Sequence, residues 1–221
     1  MTGERGSLLI WGAGGHAKVV ADVALDQAWL VAGYVDRDAT RDRGVADRHP
    51  VPSVVTESEL AACLAADRLP DGVGCVALGI GDNATRSSCV AVLGNRCAPF
   101  LIHSRATVSP SAQFGPGTVV LPGAVVNADA KVGRGVIVNT GAVIEHDCTI
   151  ADCAHVSPGA VLTGGVSVGS LSWIGAGAIV LPRIRIGERV TIGAGAVVTR
   201  NVEDGVTVVG NPARVRSNAR D

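Results

Sequence analysis

The chain changes its hydrophobic rhythm once, near residue 102. From there an aliphatic or aromatic residue falls at every sixth position: Ile102, Val108, Phe114, Val120, Val126, Val132, Val138, Ile144, Ile150, Val156, Leu162, Val168, Ile174, Val180, Ile186, Ile192 and Val198. None of these seventeen positions is polar. Four residues after each comes a second series, from Ala106 and Ala112 through Ala142, Cys148 and Ala154 to Ala196 and Val202, again small or aliphatic. A period of six fits neither the helical 3.6 nor ordinary strand-and-turn spacing, and it predicts a parallel β-helix built of hexapeptides. Each hexapeptide makes one short strand and a corner, and three close a triangular coil of eighteen residues. Both apolar series then point into the prism, so Cys148 reads as core. With stacked strands about 4.8 Å apart, the repeats make about 5.7 coils and a rod roughly 27 Å long.

Upstream the pattern is different. An apolar run Leu8 to Trp11 leads into a Gly-rich turn, a helical segment from about His16 to Leu25, and a second apolar run ending VAGYVDRD. This is a βαβ opening. SELAACLAADR and NATRSSCVAVLG read as further helices, and GVGCVALGIG between them as a buried strand. The fold expected is a small Rossmann-like parallel α/β domain over residues 1–101, followed by an all-β parallel β-helix with a C-terminal tail over 102–221.

Composition narrows the picture. Hydrophobic residues make up 47% of the chain but aromatics only 3%, so the core must be aliphatic. Lys plus Arg number 19 against 20 Asp plus Glu, which with so few rings gives neither an electrostatic footprint nor a stacking platform for nucleic acid. The six cysteines form no CxxC pair and sit within apolar patterns, which implies reduced thiols and a cytoplasmic location. The opening apolar run is too short for a signal segment and no later stretch approaches membrane-spanning length, so no membrane insertion is expected.

Two constellations carry chemistry. Gly12, Ala13, Gly14, Gly15, His16 and Ala17 satisfy GxGxxA between a strand and a helix, and Asp36 ends the next strand. Glycines let backbone approach a pyrophosphate, a helix N-terminus supplies donors, and a carboxylate accepts from hydroxyls. Any nucleotide diphosphate suits that arrangement, and a tight turn that binds nothing has the same sequence. The second constellation is Glu145, His146 and Asp147, which project outward because Ile144 and Cys148 face inward. A histidine there can serve as general base, with the adjacent carboxylate stabilising its imidazolium, or it can be a solvated surface group.

His155 follows His146 by half a coil, so the two point different ways within one chain. Across a seam between two rods they can share a cleft, which favours a cyclic oligomer. His103 does not stack on either, which argues against a three-histidine metal site, and no metal is expected. Seven arginines against four acidic residues from Arg183 onward leave a local positive surplus, suited to phosphates or to a solvated tail.

IWGAGGHAKVV, GYVDRD, NTGAVIEHDCTIADCAHVSPGAVLTGGVSVG, WIGAGAIVLP and VVGNPARV together resemble the bacterial sialic acid O-acetyltransferase and UDP-4-amino-sugar N-acetyltransferase family, with the EHD, AHVSPGA and GNPA segments the most specific. The resemblance implies a left-handed β-helix, a homotrimer, and acetyl-CoA held between adjacent rods. By position, His146 would be the general base and Asp147 would raise its basicity. His155 would contact acetyl-CoA near its reacting end, and Gly164, Ala176 and Ala194 would line the pantetheine groove through backbone contacts. Gly14, Gly15, His16, Asp36 and Arg37 would hold a UDP- or GDP-linked 4-amino-deoxysugar, whose amine would attack the thioester directly. Three other readings stand beside this one: a sugar O-acetyltransferase using the same base, a nicotinamide-binding oxidoreductase suggested by GxGxxA with Asp36, and a scaffold that only trimerises.

Overall fold

The structure, a computed structural model, describes residues 6–37 and 54–216. Four parallel strands, β1 (Ser7–Trp11), β2 (Leu30–Asp36), β3 (Val54–Thr56) and β4 (Cys75–Leu78), form one sheet in the order β3-β2-β1-β4. Helices α1 (Gly15–Asp26), α2 (Glu57–Ala65) and α3 (Asn83–Leu93) complete this half. Successive side chains of a strand face opposite ways. Leu8 and Ile10 accordingly pack with α1, while Leu9 between them packs with Leu60 of α2 and Val90 of α3. Helices on both faces are why β1 and β4 read as unbroken apolar runs. The short strand β3 carries no such run and was not anticipated. The helix expected over SELAACLAADR starts one residue early, at a Thr56–Glu59 capping box. It ends at Ala65, where Asp67 turns to a φ of 57° and the Arg68 amide donates back to the Cys63 carbonyl.

The hexapeptides fold as their rhythm requires. Seventeen two-residue strands run from Leu101–Ile102 to Val197–Val198, each ending on a member of the six-residue series. Every third strand pairs in parallel, as Val138 with Val156 and Val156 with Ile174, so one coil is eighteen residues and three sheets form the faces of a left-handed prism. Both apolar series fill the prism, and Cys148 is fully buried. The two hydroxyls of the second series, Thr118 and Ser172, are also fully buried and fully paired. Thr118 donates to the Gly133 carbonyl and accepts from the Val136 amide, and Ser172 does the same three coils on with Gly187 and Val190. That reciprocity makes them tolerable in an apolar core.

The corners explain the glycines. Residues 123, 141, 159, 177 and 195, one per coil on one edge, are all glycine with φ between 64° and 72°. On a second edge the same left-handed conformation is adopted by Asp129, Asp147 and Arg183 around Gly165.

The α/β half is seated on the face that begins with Leu101. Outward-facing Leu101, Val119 and Ile137 share a core with Val20, Val23 and Ala24 of α1. Cys153 joins a second shared core with Cys89, Val90 and Leu93 of α3. All six cysteines are free thiols. At the far end, Thr207–Val209 and Arg214–Val215 pair antiparallel around the GNPA turn and close the rod.

Candidate active site

His146 stands at the corner that follows strand Val143–Ile144, with its ring 61% exposed. Asp147, next to it, adopts a φ of 60°, which swings its carboxylate back so that Oδ2 lies 2.7 Å from His146 Nδ1. That hydrogen bond, followed by the Asp147 and Glu145 charges, raises the imidazole pKa above its ordinary value. One coil on, a Cβ on Gly164 would fall 2.6 Å from His146 Nε2, so the ring lies against a backbone position that has no side chain. The Gly165 amide donates to the His146 carbonyl and holds the corner from beneath.

Ala176 and Ala194 lie one above the other on a different, exposed corner, joined by the Gly195 amide donating to the Ala176 carbonyl. Within one chain they do not meet His146 or Gly164. The face between these two corners carries Val125, Val143, Val161, Ile179 and Val197 in register, all pointing outward and none fully covered.

His155 lies on the third face, and the structure places it under the α/β half. Asn139 Nδ2 is 3.0 Å from its Nε2, and its ring stacks on Trp173 at 6.2 Å between centroids. Burial, then the charges of Arg86 and His16, push its pKa down to about 3. His16, at the start of α1, is likewise lowered to about 4 by burial and then by Arg86. Its Nε2 is buried without a hydrogen-bond partner among the described residues. Two histidines that the sequence set on separate halves thus share one neutral cluster. It adjoins a cleft of about 610 Å³ between Gly81, Asp82 and Asn83 on one side and His155, Trp173 and Arg189 on the other.

The turn before α1 has the geometry its glycines suggest. Gly12 takes a φ of 111°, and a Cβ there would stand 2.9 Å from the Gly79 carbonyl. Gly14 and Gly15 face open space, and Gly14 caps α1 without a side-chain bond, its carbonyl accepting from the Ala17 amide. Asp36 and Arg37 end β2 at the same carboxyl edge, where parallel α/β sheets bind ligands. Arg37 Nε is 3.4 Å from Glu57, which also accepts from Trp11 Nε1 at 3.1 Å.

Sequence reasoning missed Arg86, Asn83 and Trp173. Arg86 sits in a helix whose pattern gives no reason to bury it, yet it is fully buried. His103 is accounted for by the junction, where it lies 3.9 Å from Asp26. Among the described residues no group of His, Cys, Asp or Glu side chains is arranged to hold a metal, and no helix is long and apolar enough to cross a membrane.

A Rossmann-like half on a hexapeptide rod, with a histidine–carboxylate pair at a rod corner, is the architecture of an acyltransferase. Residues 7–93 match the PglD N-terminal domain, and residues 165–200 match the bacterial transferase hexapeptide (six repeats). A His-to-Asn mutant of perosamine N-acetyltransferase from Caulobacter crescentus, in complex with CoA and GDP-perosamine, is 36% identical, with a TM-score of 0.86 over 97% of this chain and 98% of that one. The acetyltransferase domain of PglB from Neisseria gonorrhoeae is 38% identical, with a TM-score of 0.82 over 95% and 99%. WeeI from Acinetobacter baumannii is 25% identical, with a TM-score of 0.78 over 95% and 99%. No curated protein sequence matches the chain. The chain belongs to the PglD/NeuD-like hexapeptide-repeat acyltransferases.

Proposed function

We propose that this protein transfers the acetyl group of acetyl-CoA to the amine of a nucleotide-linked 4-amino-deoxysugar, with His146 as general base. The observation that carries the reading is the 2.7 Å contact of His146 Nδ1 with Asp147, which leaves Nε2 to take a proton. As the amine nitrogen bonds to the carbonyl carbon, its proton passes to Nε2, the C–S bond breaks, and CoA leaves as the thiolate. The imidazolium formed is stabilised by Asp147. A direct path needs no acyl-enzyme, and Cys148 and Cys153, both buried with raised pKa values, offer no nucleophile. The carboxyl edge of the α/β half, with Gly14, Gly15, His16, Asp36 and Arg37, holds the nucleotide sugar. Similar structures hold CoA and GDP-perosamine, which supports both the donor and the acceptor class.

The working unit is a homotrimer. The outward aliphatic column from Val125 to Val197 is an apolar sheet face in need of a cover, and a second rod is the matching surface. Rods joined there would set the His146–Gly164 corner of one chain beside the Ala176–Ala194 corner of the next, making the acetyl-CoA groove between them. The test is CoA-thiol release from acetyl-CoA with a panel of UDP- and GDP-linked amino sugars and their hydroxyl counterparts. Turnover on an amino sugar that collapses in His146→Asn supports the reading; turnover on hydroxyl acceptors alone, or none at all, defeats it.

A further inference from the structure

We propose that Arg86 is a positioning residue that, together with Asn83, locks the β4–α3 turn of the α/β half onto the coils carrying His155 and Trp173. It thereby fixes the acceptor sugar in register with the acyl-transfer site. The inference rests on the proposed function for its kinetic consequence, but not for the lock itself.

Arg86 is fully buried, and no carboxylate among the described residues pairs with it. Its five N–H donors instead go to oxygens on both halves of the protein. On its own side, Nη1 donates to the Ile80 and Gly81 carbonyls at 3.1 and 2.9 Å, and Nη2 to Asn83 Oδ1 at 2.6 Å. On the rod, Nε donates to the Gly135 carbonyl at 2.7 Å and Nη2 to that of Cys153 at 2.8 Å. Asn83 completes the bracket by donating through Nδ2 to the carbonyls of Leu171 and Ser172 at 3.0 and 3.2 Å. Gly135, Cys153 and Leu171 hold the same place in three successive coils, two residues before Ile137, His155 and Trp173, and Ser172 directly precedes Trp173.

Cohesion alone does not account for this arrangement. The two halves already share apolar cores, and burying a cation among carbonyls costs more than filling the same space with a methionine or leucine. A planar guanidinium supplies fixed geometry, because its donors point in set directions within one plane. The turn it fixes, Gly81 to Asn83, is one wall of the cleft whose other wall holds His155 and Trp173. A shift of that wall by an ångström displaces anything bound across it. Burial, and then this same charge, disfavours protonation of His16 and His155, so the cleft wall presents His155 as a neutral imidazole.

The test uses the full-length wild type, Arg86→Lys, and the milder Asn83→Ala in case the first does not fold. Amide hydrogen exchange is read over residues 80–84 and 150–156, and steady-state kinetics give separate KM values for the nucleotide sugar and for acetyl-CoA. The expected result is faster exchange in the turn by about tenfold or more, with the acceptor KM raised about ten- to hundredfold. The acetyl-CoA KM should stay unchanged. Exchange in 80–84 that stays as slow as in the wild type overturns the lock. Faster exchange with an unchanged acceptor KM, or equal losses for both substrates, overturns the positioning role. A wild type that turns over no nucleotide amino sugar defeats the proposed function, and exchange alone then judges the lock.

Discussion

The His146 ring occupies the space that a side chain on residue 164 would need, since a Cβ there would stand 2.6 Å from Nε2 and 2.7 Å from Cε1. Gly164 is therefore small because of the imidazole above it. In Gly164→Ala the exposed ring can swing aside at little cost in stability, but it loses its aim. The expected outcome is a fall in kcat of about ten- to hundredfold with Tm within a few degrees of wild type, checked by kinetics and calorimetry.

Removing the imidazole itself should cost more. His146→Asn is expected to lower kcat by about a hundred- to ten-thousandfold while leaving the acetyl-CoA KM close to wild type. A raised acetyl-CoA KM with an intact kcat would assign His146 to binding.

The carboxylate can be tested apart from the ring. Asp147 holds a φ of 60°, a conformation that asparagine tolerates, so Asp147→Asn should keep the corner. Because the Asp147 bond raises the His146 pKa, its loss should lower it. The rising limb of the pH profile of kcat/KM should move to lower pH, and the plateau should fall as the base weakens. A pH series on both proteins checks this.

The aliphatic face predicts assembly. Val161→Lys and Ile179→Lys place charges in the column of outward aliphatics and should dissociate the proposed trimer, with activity lost at low protein concentration and partly regained at high. Sedimentation across a dilution series, read beside activity, checks it.

Two buried neutral histidines predict an acid-sensitive fold. His16 and His155 have folded pKa values of about 4 and about 3, below the unfolded value of 6.5, so the unfolded chain takes up protons that the native state refuses. This contribution is complete above pH 6.5 and is lost as pH falls from there toward 4. The slope is at most about 1.4 kcal/mol per pH unit for each histidine, less for the partial exposure of both rings. Asp26, Glu59 and Asp82, with lowered pKa values, act below that window. Urea unfolding between pH 7.5 and 5 at fixed protein concentration should show the decline, and His155→Gln should flatten it.

Much of this molecule was legible because its repeats are local in a periodic sense. Ile144 and Cys148 had to face inward, which left His146 and Asp147 outside on a corner, and the structure places them there. The strand–turn–helix around Gly12 to Ala17 was legible for a similar reason, since a glycine at a φ of 111° and a buried alanine serve one tight connection. Arg86 was not legible. It occupies an ordinary helix, and what keeps it buried is carbonyls of Gly135 and Cys153, far along the chain and set by no repeat. The same holds for His16 and His155.

The sequence by itself determined the prism, its eighteen-residue coil, the parallel α/β half and the outward placement of the histidine–aspartate pair, because period and polarity decide which side of a strand or corner each residue takes. The tertiary structure alone decided which rod face the α/β half covers and which it leaves open. It also decided that His16 and His155, distant in the chain, lie within the field of one buried guanidinium. Those outcomes depend on surfaces meeting across the junction, and the side chains on either side of it share no spacing that a linear pattern could record.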